Sequence, residues 1–353
     1  MKQRVWGISA LVVMVLLAVA VGYAPPVQAA TPGFNIVTSP LPIKLSTDPG
    51  RTVQTELRVK NQNPDPETIK VGLMKFGAQG ELGEPDLFDL TAKDTYANWV
   101  TFSPSQFVAP PNTWMTVKMT IKVPSDAALG YYMAVTFSRA TPQKTDKGSS
   151  VHGSAATLVL LDVKNPNAKR ELQLVSFTSD HKLYEYLPTT FTIKVRNKGN
   201  IYLAPSGNIF ISKGNKPVAT LDFNAVGGSV LPASNRVYTL PWDSGFPKFS
   251  QKLVNGKPVN DSKAHPKLEL KWNFGDASKF RFGKYTAKLF VVYDNGQQDV
   301  PLESSLTFWV LPWKLMTVGV ILLLLILYAI WMLLVRPIVT KAKLGVDKRR
   351  GRA

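Results

Sequence analysis

The sequence predicts an all-β exported region, two antiparallel β-sandwiches in tandem, followed by one transmembrane α-helix. Three observations carry that prediction. Short alternating segments are punctuated by Pro, Gly and Asn, the same strand pattern recurs in both halves, and one long uncharged run lies near the C-terminus. With 353 residues the chain has room for two domains of ordinary size, at roughly 100 to 200 residues each.

At the N-terminus, Lys2 and Arg4 precede an apolar run from Gly7 to Val21, and Val27-Gln28-Ala29-Ala30 follows. A basic start, an apolar centre and a small-residue exit define a secretory signal peptide, here residues 1–30.

The first sandwich is expected over 31–166. Thr55 to Lys60 places Leu57 and Val59 on one face, and Asn61-Gln62-Asn63-Pro64 ends the strand. Thr68 to Leu73 alternates through Ile69, Val71 and Leu73. Trp114 to Val123 does so most regularly, with Val117, Met119, Ile121 and Val123 opposite Thr116, Lys118, Thr120 and Lys122. Tyr131 to Phe137 and Ala155 to Val163 complete the set, and only short stretches such as Asp94 to Trp99 read as helical. Half-buried antiparallel strands at this spacing make a sandwich.

The second sandwich is expected over 167–312, after the polar stretch Asn165 to Arg170. Phe191 to Asn200 repeats the pattern of Leu57 to Asn63, and Gly283-Lys284-Tyr285 repeats Gly130-Tyr131-Tyr132. Leu315 to Val335 contains no charged residue, and at ~1.5 Å per residue it reaches about 31 Å, the thickness of a hydrocarbon core. The transmembrane helix is therefore placed at 313–335. Trp309, Trp313, Trp331 and Arg336 are its expected interface anchors. The tail, 336–353, holds seven basic residues and one acid, which puts it in the cytoplasm and the region before the helix outside.

That placement also disposes of the charge. The chain carries 42 Lys and Arg against 24 Asp and Glu, a net +18 that invites a nucleic-acid reading. The tail and the signal peptide hold eight of those eighteen charges, and topology with anionic lipid accounts for them. No nucleic-acid partner is expected. The absence of cysteine excludes disulfides, thiolate metal sites and a cysteine nucleophile.

Chemistry is sparse elsewhere. His152, His181 and His265 are scattered, and there is no His-Glu-x-x-His pattern, nucleophile elbow or phosphate loop, so no enzyme activity, cofactor or metal is expected. The acidic run Glu81, Glu84, Asp86 and Asp89 fits no calcium loop and reads as a solvated hairpin connection. Trp272 and Phe274 alternate within Leu268 to Phe274 and read as core, whereas Trp242 and Phe246 flank a loop where rings could stack on a ligand. Tyr131 and Tyr132 point to opposite faces of one strand, so at most one faces a ligand. These four are the candidate binding residues. An open sandwich edge is a further candidate, since a partner strand can add to it, and the sequence does not say which strand that is.

Asp48-Pro49-Gly50, Val59-Lys60-Asn61, Phe102 to Phe107, Ile121 to Asp126 and Gly130-Tyr131-Tyr132 together resemble bacterial Ig-like surface domains. Most closely the chain resembles the WxL-interacting protein family, whose order of signal peptide, two Ig-like domains, C-terminal helix and basic tail it follows along its whole length. The resemblance implies a first domain that binds peptidoglycan, a second that binds a host or partner surface, and association with cell-surface WxL proteins. The expectation is a non-enzymatic, single-pass cell-membrane protein that binds wall peptidoglycan or surface proteins. The competing expectation is a chaperone-like or spacer protein that assists assembly of exported surface proteins.

Overall fold

A computed structural model describes residues 33–335, except 142, 145–149, 152–153, 255 and 261–265. The expected signal peptide, the expected interface anchor Arg336 and the basic tail lie outside the described residues. The chain is mostly β, with one apolar helix at its C-terminal end.

The N-terminal region contains β1 (Ile36–Ser39), β2 (Ile43–Thr47), β3 (Thr52–Asn61), β4 (Glu67–Gln79), β5 (Glu84–Phe88) and β6 (Val100–Ser103). It continues with β7 (Gln106–Ala109), β8 (Trp114–Lys122), β9 (Leu129–Arg139), β10 (Gln143–Lys144), β11 (Ser150–Val151) and β12 (Ser154–Val163). Two sheets, in the orders β1-β3-β8-β6 and β2-β12-β9-β4-β5, face each other over one core. The alternation of β8 decides which side chains enter it: Val117, Met119 and Ile121 are fully buried, while Thr116, Lys118 and Lys122 are exposed. Each such aliphatic side chain contributes roughly 1.5–3 kcal/mol by leaving water. The expected helical stretch is a 3-10 turn, Thr95–Trp99.

The C-terminal region contains β13 (Leu172–Ser179), β14 (Leu183–Tyr184), β15 (Thr189–Asn197), β16 (Ser206–Lys213), β17 (Lys216–Phe223) and β18 (Asn235–Trp242). After these come β19 (Lys248–Gln251), β20 (Leu253–Val254), β21 (Lys257–Pro258), β22 (Leu268–Lys271), β23 (Gly283–Asp294) and β24 (Asp299–Val310). The orders β13-β15-β18 and β14-β24-β23-β16-β17 lie over a second core and repeat those of the N-terminal region, except that β6 and β7 have no counterpart in these two sheets. Leu268 to Phe274 is not one buried strand: β22 ends at Lys271 and a 3-10 helix spans Phe274–Lys279. The reading of Trp272 and Phe274 as core is thereby corrected, since both are exposed.

The repetition extends to single residues. Asn61 and Asn197, both fully buried, close β3 and β15. Asn61 Nδ2 donates to the carbonyls of Asp65 (2.7 Å) and Ala109 (3.1 Å), and its Oδ1 accepts from the Asn63 amide (2.9 Å). Asn197 Nδ2 donates to Ile201 (2.8 Å) and Val230 (2.9 Å), and its Oδ1 accepts from the Gly199 amide (2.8 Å). A short polar side chain that bonds the backbone two residues on is what lets the strand turn sharply while buried.

Helix α1 runs Trp313–Ile330, and its apolar stretch Trp313–Leu333 is long enough to cross a membrane.

Candidate functional site

In each region the first strand changes sheets. β1 pairs β3; the chain then passes Pro40-Leu41-Pro42, and β2 pairs β12 in parallel over Val159–Val163. Proline has no amide to donate, so the parallel ladder does not extend back past Ile43. The stretch Ser154–Leu158 of β12 is paired with β9 on one side, and among the described residues no strand pairs with its other side. A strand edge of this kind presents unmet N–H and C=O groups to any extended chain. Ser154-Ala155-Ala156-Thr157-Leu158 carries neither charge nor proline to discourage such a chain.

Beside this edge lies a cavity of about 340 Å³ between the two regions. Leu158, Leu160 and Phe76 line one wall, from the outer face of the β9–β12 sheet, and Val226, Val230 and Leu231 line the other. Its polar lining comprises Arg236 on β18 with Glu84, Ser229, Ser234 and Asn235. Arg236 Nη1 donates to the Ser229 carbonyl at 2.7 Å, whereas the buried Arg236 Nε and Ser229 Oγ have no hydrogen-bond partner among the described residues. Gly83 and Gly228 make room for this guanidinium, because a Cβ at either position would overlap it. Lys44 on β2 donates to the Gly227 carbonyl at 2.7 Å, and burial, then the nearby Arg236 cation, pushes its pKa down.

The β4–β5 hairpin holds the two regions together. The Glu81 carbonyl accepts from the Val237 amide at 2.6 Å, and the Glu81 carboxylate accepts from Lys194 (2.7 Å) and Asn235 (2.8 Å). The acidic run is thus part hairpin, as expected, and part latch. A second contact sets Arg170 against Asp162 at 3.0 Å, and a third sets the Tyr132 ring edge-on to Tyr202 at 6.3 Å.

The four candidate rings do not come together. Tyr131 faces the core, 4.8 Å from the Trp99 ring and 5.5 Å from Tyr96, and its hydroxyl accepts from the Ala128 amide. Tyr132 points the other way into the junction, where burial pushes its phenol strongly up; its hydroxyl occupies the space that Gly130, lacking a Cβ, leaves open. Trp242 is the last residue of β18 and only 1% exposed, packed on Tyr285 (5.6 Å) and Phe308 (5.9 Å). No ring face is left for a ligand, so the reading of Trp242 as a loop-flanking ring open to a ligand is corrected. Phe246 is half-buried against Trp272 (5.8 Å) and Phe274 (5.5 Å). Trp309 is exposed on β24, Trp313 opens α1, and Trp331 stacks on Tyr328 at the far end.

Sequence reasoning missed Arg236, Lys44 and the Glu81 latch, all of which act across the junction. The β12 edge did have a signal: the uncharged, proline-free start of a terminal strand.

No family model and no curated protein matches the chain. Among solved structures, it is similar to the class 5 fimbriae chaperone CfaA (14% identity, 77% of this chain and 98% of that one, TM-score 0.35). It is also similar to a chain of the Salmonella enterica SafA pilin–SafB chaperone complex (12%, 78% and 99%, 0.34). A third is a chain of the CsuC–CsuE chaperone–tip adhesion subunit complex of Acinetobacter baumannii (10%, 76% and 97%, 0.34). The expectation of a peptidoglycan-binding protein is corrected here. Of the candidate binding rings, Trp242 and Tyr131 are packed inward and Tyr132 is taken up by the junction, which leaves none of the three for a wall glycan to stack on.

Proposed function

We propose that the chain is a membrane-anchored assembly factor for exported surface proteins, which holds an extended segment of its client on the open half of β12. In this reading residues 31–166 and 167–312 are two tandem Ig-like domains outside the cell, α1 spans the membrane, and the basic tail is cytoplasmic. The single observation that carries the proposal is the unguarded edge Ser154–Leu158, bordered by an apolar cavity with an unpaired arginine nitrogen. A client strand added there gains main-chain hydrogen bonds. Its alternate side chains gain the walls of Leu158 and Leu160, and the half-buried Arg236 guanidinium adds a cation to the cavity lining that favours a carbonyl or carboxylate.

Because the chain has no cysteine, single sites can be labelled in the full-length protein. Ala156→Cys, and Ser305→Cys on β24 as a control, each carry a photoactivatable benzophenone in intact cells. Adducts with exported polypeptides are expected at position 156 at about tenfold the yield at 305, because only the unguarded edge accepts a strand. Equal yields at the two positions would sink the proposal.

A further inference from the structure

We infer that the end of the C-terminal region from which α1 departs is a lipid-docking surface, formed by Phe246 and by Trp272 to Phe282, between β18 and β23, and seated on the same bilayer that α1 crosses. The inference rests on the membrane-spanning reading of α1.

Position comes first. Gly283 is paired with Val310, and α1 begins at Trp313, three residues later and at most about 10 Å along the chain. Trp242 is paired with Thr189 at that same end, just after Leu183-Tyr184 pair with Trp309-Val310. Residues 243–282 therefore leave and rejoin the sheets at the membrane side.

The surface of this excursion has the composition of an interface layer. Phe274 is 73% exposed, and Trp272, Phe280 and Phe282 are each 40% exposed or more. Trp272 and Phe274 stack at 6.4 Å and pack on Phe246, which holds the rings as a rigid wedge. An apolar group of this size costs solubility if it faces only water, whereas amphipathic rings favour the headgroup layer. Trp309 and Trp313, close in sequence to the start of α1, are exposed as well.

Charge points to the same occupant. The sequence from 243 to 282 holds eight Lys and Arg against four Asp and Glu, and Asp243 and Asp276 already pair with Lys248 and Lys279 at 2.8 and 2.7 Å. Lys213 lies 5.9 Å from the Phe282 ring centroid, and Lys314 pairs with Glu185 at the start of α1. Long basic side chains beside aromatic wedges are what an anionic lipid surface attracts, with stems along the apolar layer and ammonium groups at phosphate depth.

The test uses the full chain reconstituted in phosphatidylcholine vesicles, with or without phosphatidylglycerol. An environment-sensitive fluorophore is placed at one of three single cysteines: Phe274→Cys; Val226→Cys, 88% exposed and at the opposite end of the sheets; and Leu324→Cys, within α1. A shallow spin-labelled lipid is expected to quench position 274 about threefold more than 226, and more strongly with phosphatidylglycerol present, as for an interfacial aromatic patch with basic neighbours. A deep spin-labelled lipid is expected to quench 324. Quenching at 324 with 274 no different from 226 overturns the inference and leaves the span intact. Failure at 324 removes the span, and the inference with it. A blue-shifted but unquenched 274 assigns the patch to a protein occupant and also overturns it.

Discussion

The two β-regions share the strand order of their larger sheet, a buried asparagine at the end of their third strand and a parallel cover on their last strand, yet they finish their edges differently. On β12 the open stretch is Ser-Ala-Ala-Thr-Leu. On β24, where β14 covers only Trp309 and Val310, the outward positions of the long open stretch include Asp299, Pro301 and Glu303. Charge and proline on an exposed edge are the usual means of refusing another strand. The connections differ too. β23 joins β24 through Asn295–Gln298 alone, whereas β18 reaches β23 only through the aromatic excursion, and β9 reaches β12 through the segment that carries β10 and β11. The scaffold is repeated; the features proposed to bind are what each copy adds to it, in an edge or a connection.

The equivalence of the two regions breaks most visibly at the asparagines. Asn61→Ala and Asn197→Ala each leave two carbonyls and one amide without their bonds in a buried corner, so each is expected to cost about 3 kcal/mol. Urea denaturation followed by hydrogen exchange, read region by region, measures this. Similar losses, each beginning in the region that carries the change, support equivalent corners. A variant that loses under about 0.5 kcal/mol shows that its corner is held by something else.

The edge contrast can be inverted. Pro301→Val with Glu303→Val removes two of the guards of β24 and is expected to produce concentration-dependent self-association in sedimentation velocity of the detergent-solubilised chain. Ala156→Lys adds a guard to β12 and is expected to cut client crosslinking from a neighbouring Leu158→Cys site several-fold, with thermal stability unchanged because Ala156 is only half-buried. A β24 double variant that stays monomeric removes the argument that its charges matter.

Much of this framework was legible in the sequence because period-two alternation is a local signal. β8 and β12 were read to within a residue or two, and the match of Leu57–Asn63 to Phe191–Asn200 located two corners with the same hydrogen bonds. The other repeat was matched one residue out of register. Tyr132 was set against Tyr285, yet the partner of Tyr285 is Tyr131: their hydroxyls accept from the amides three residues earlier, Phe282 and Ala128, and the strands start at Gly283 and Leu129, both with positive φ. Leucine in a conformation that favours glycine concealed the alignment. Trp242 was misplaced because Asp243-Ser244-Gly245 signals a loop correctly, while the residue just before a loop can still be the last ring of a core. Glu81, Lys44 and Arg236 were out of reach, because long-range contacts across a junction leave no periodic trace.

The smallest expected difference between the regions lies in their response to acid. In the N-terminal region the Arg139 guanidinium, against desolvation and with help from Asn63, holds Glu67 below the usual carboxylate range; the Arg139–Glu67 contact is 2.5 Å. In the C-terminal region burial pushes Asp180 up, but the Tyr184 hydroxyl and Thr190 amide outweigh it and keep it low. Both groups have folded pKa values below their unfolded ones, so each adds stability that is present above about pH 4.5 and is lost as pH falls through the folded value. One loss is an ion pair; the other is chiefly a set of hydrogen bonds to neutral donors, with a smaller charge contribution from His181, whose Nδ1 lies 3.5 Å from the Asp180 carboxylate. Glu67→Gln is therefore expected to flatten the acid limb of the N-terminal region and to remove its salt sensitivity, leaving the C-terminal limb as it was. Hydrogen exchange between pH 5 and 3 at low and high salt reads both limbs in one protein. An N-terminal limb that keeps its slope in Glu67→Gln assigns the acid response to other carboxylates, with Asp94, drawn down to about 2 by Thr91 and Lys75, the next to substitute.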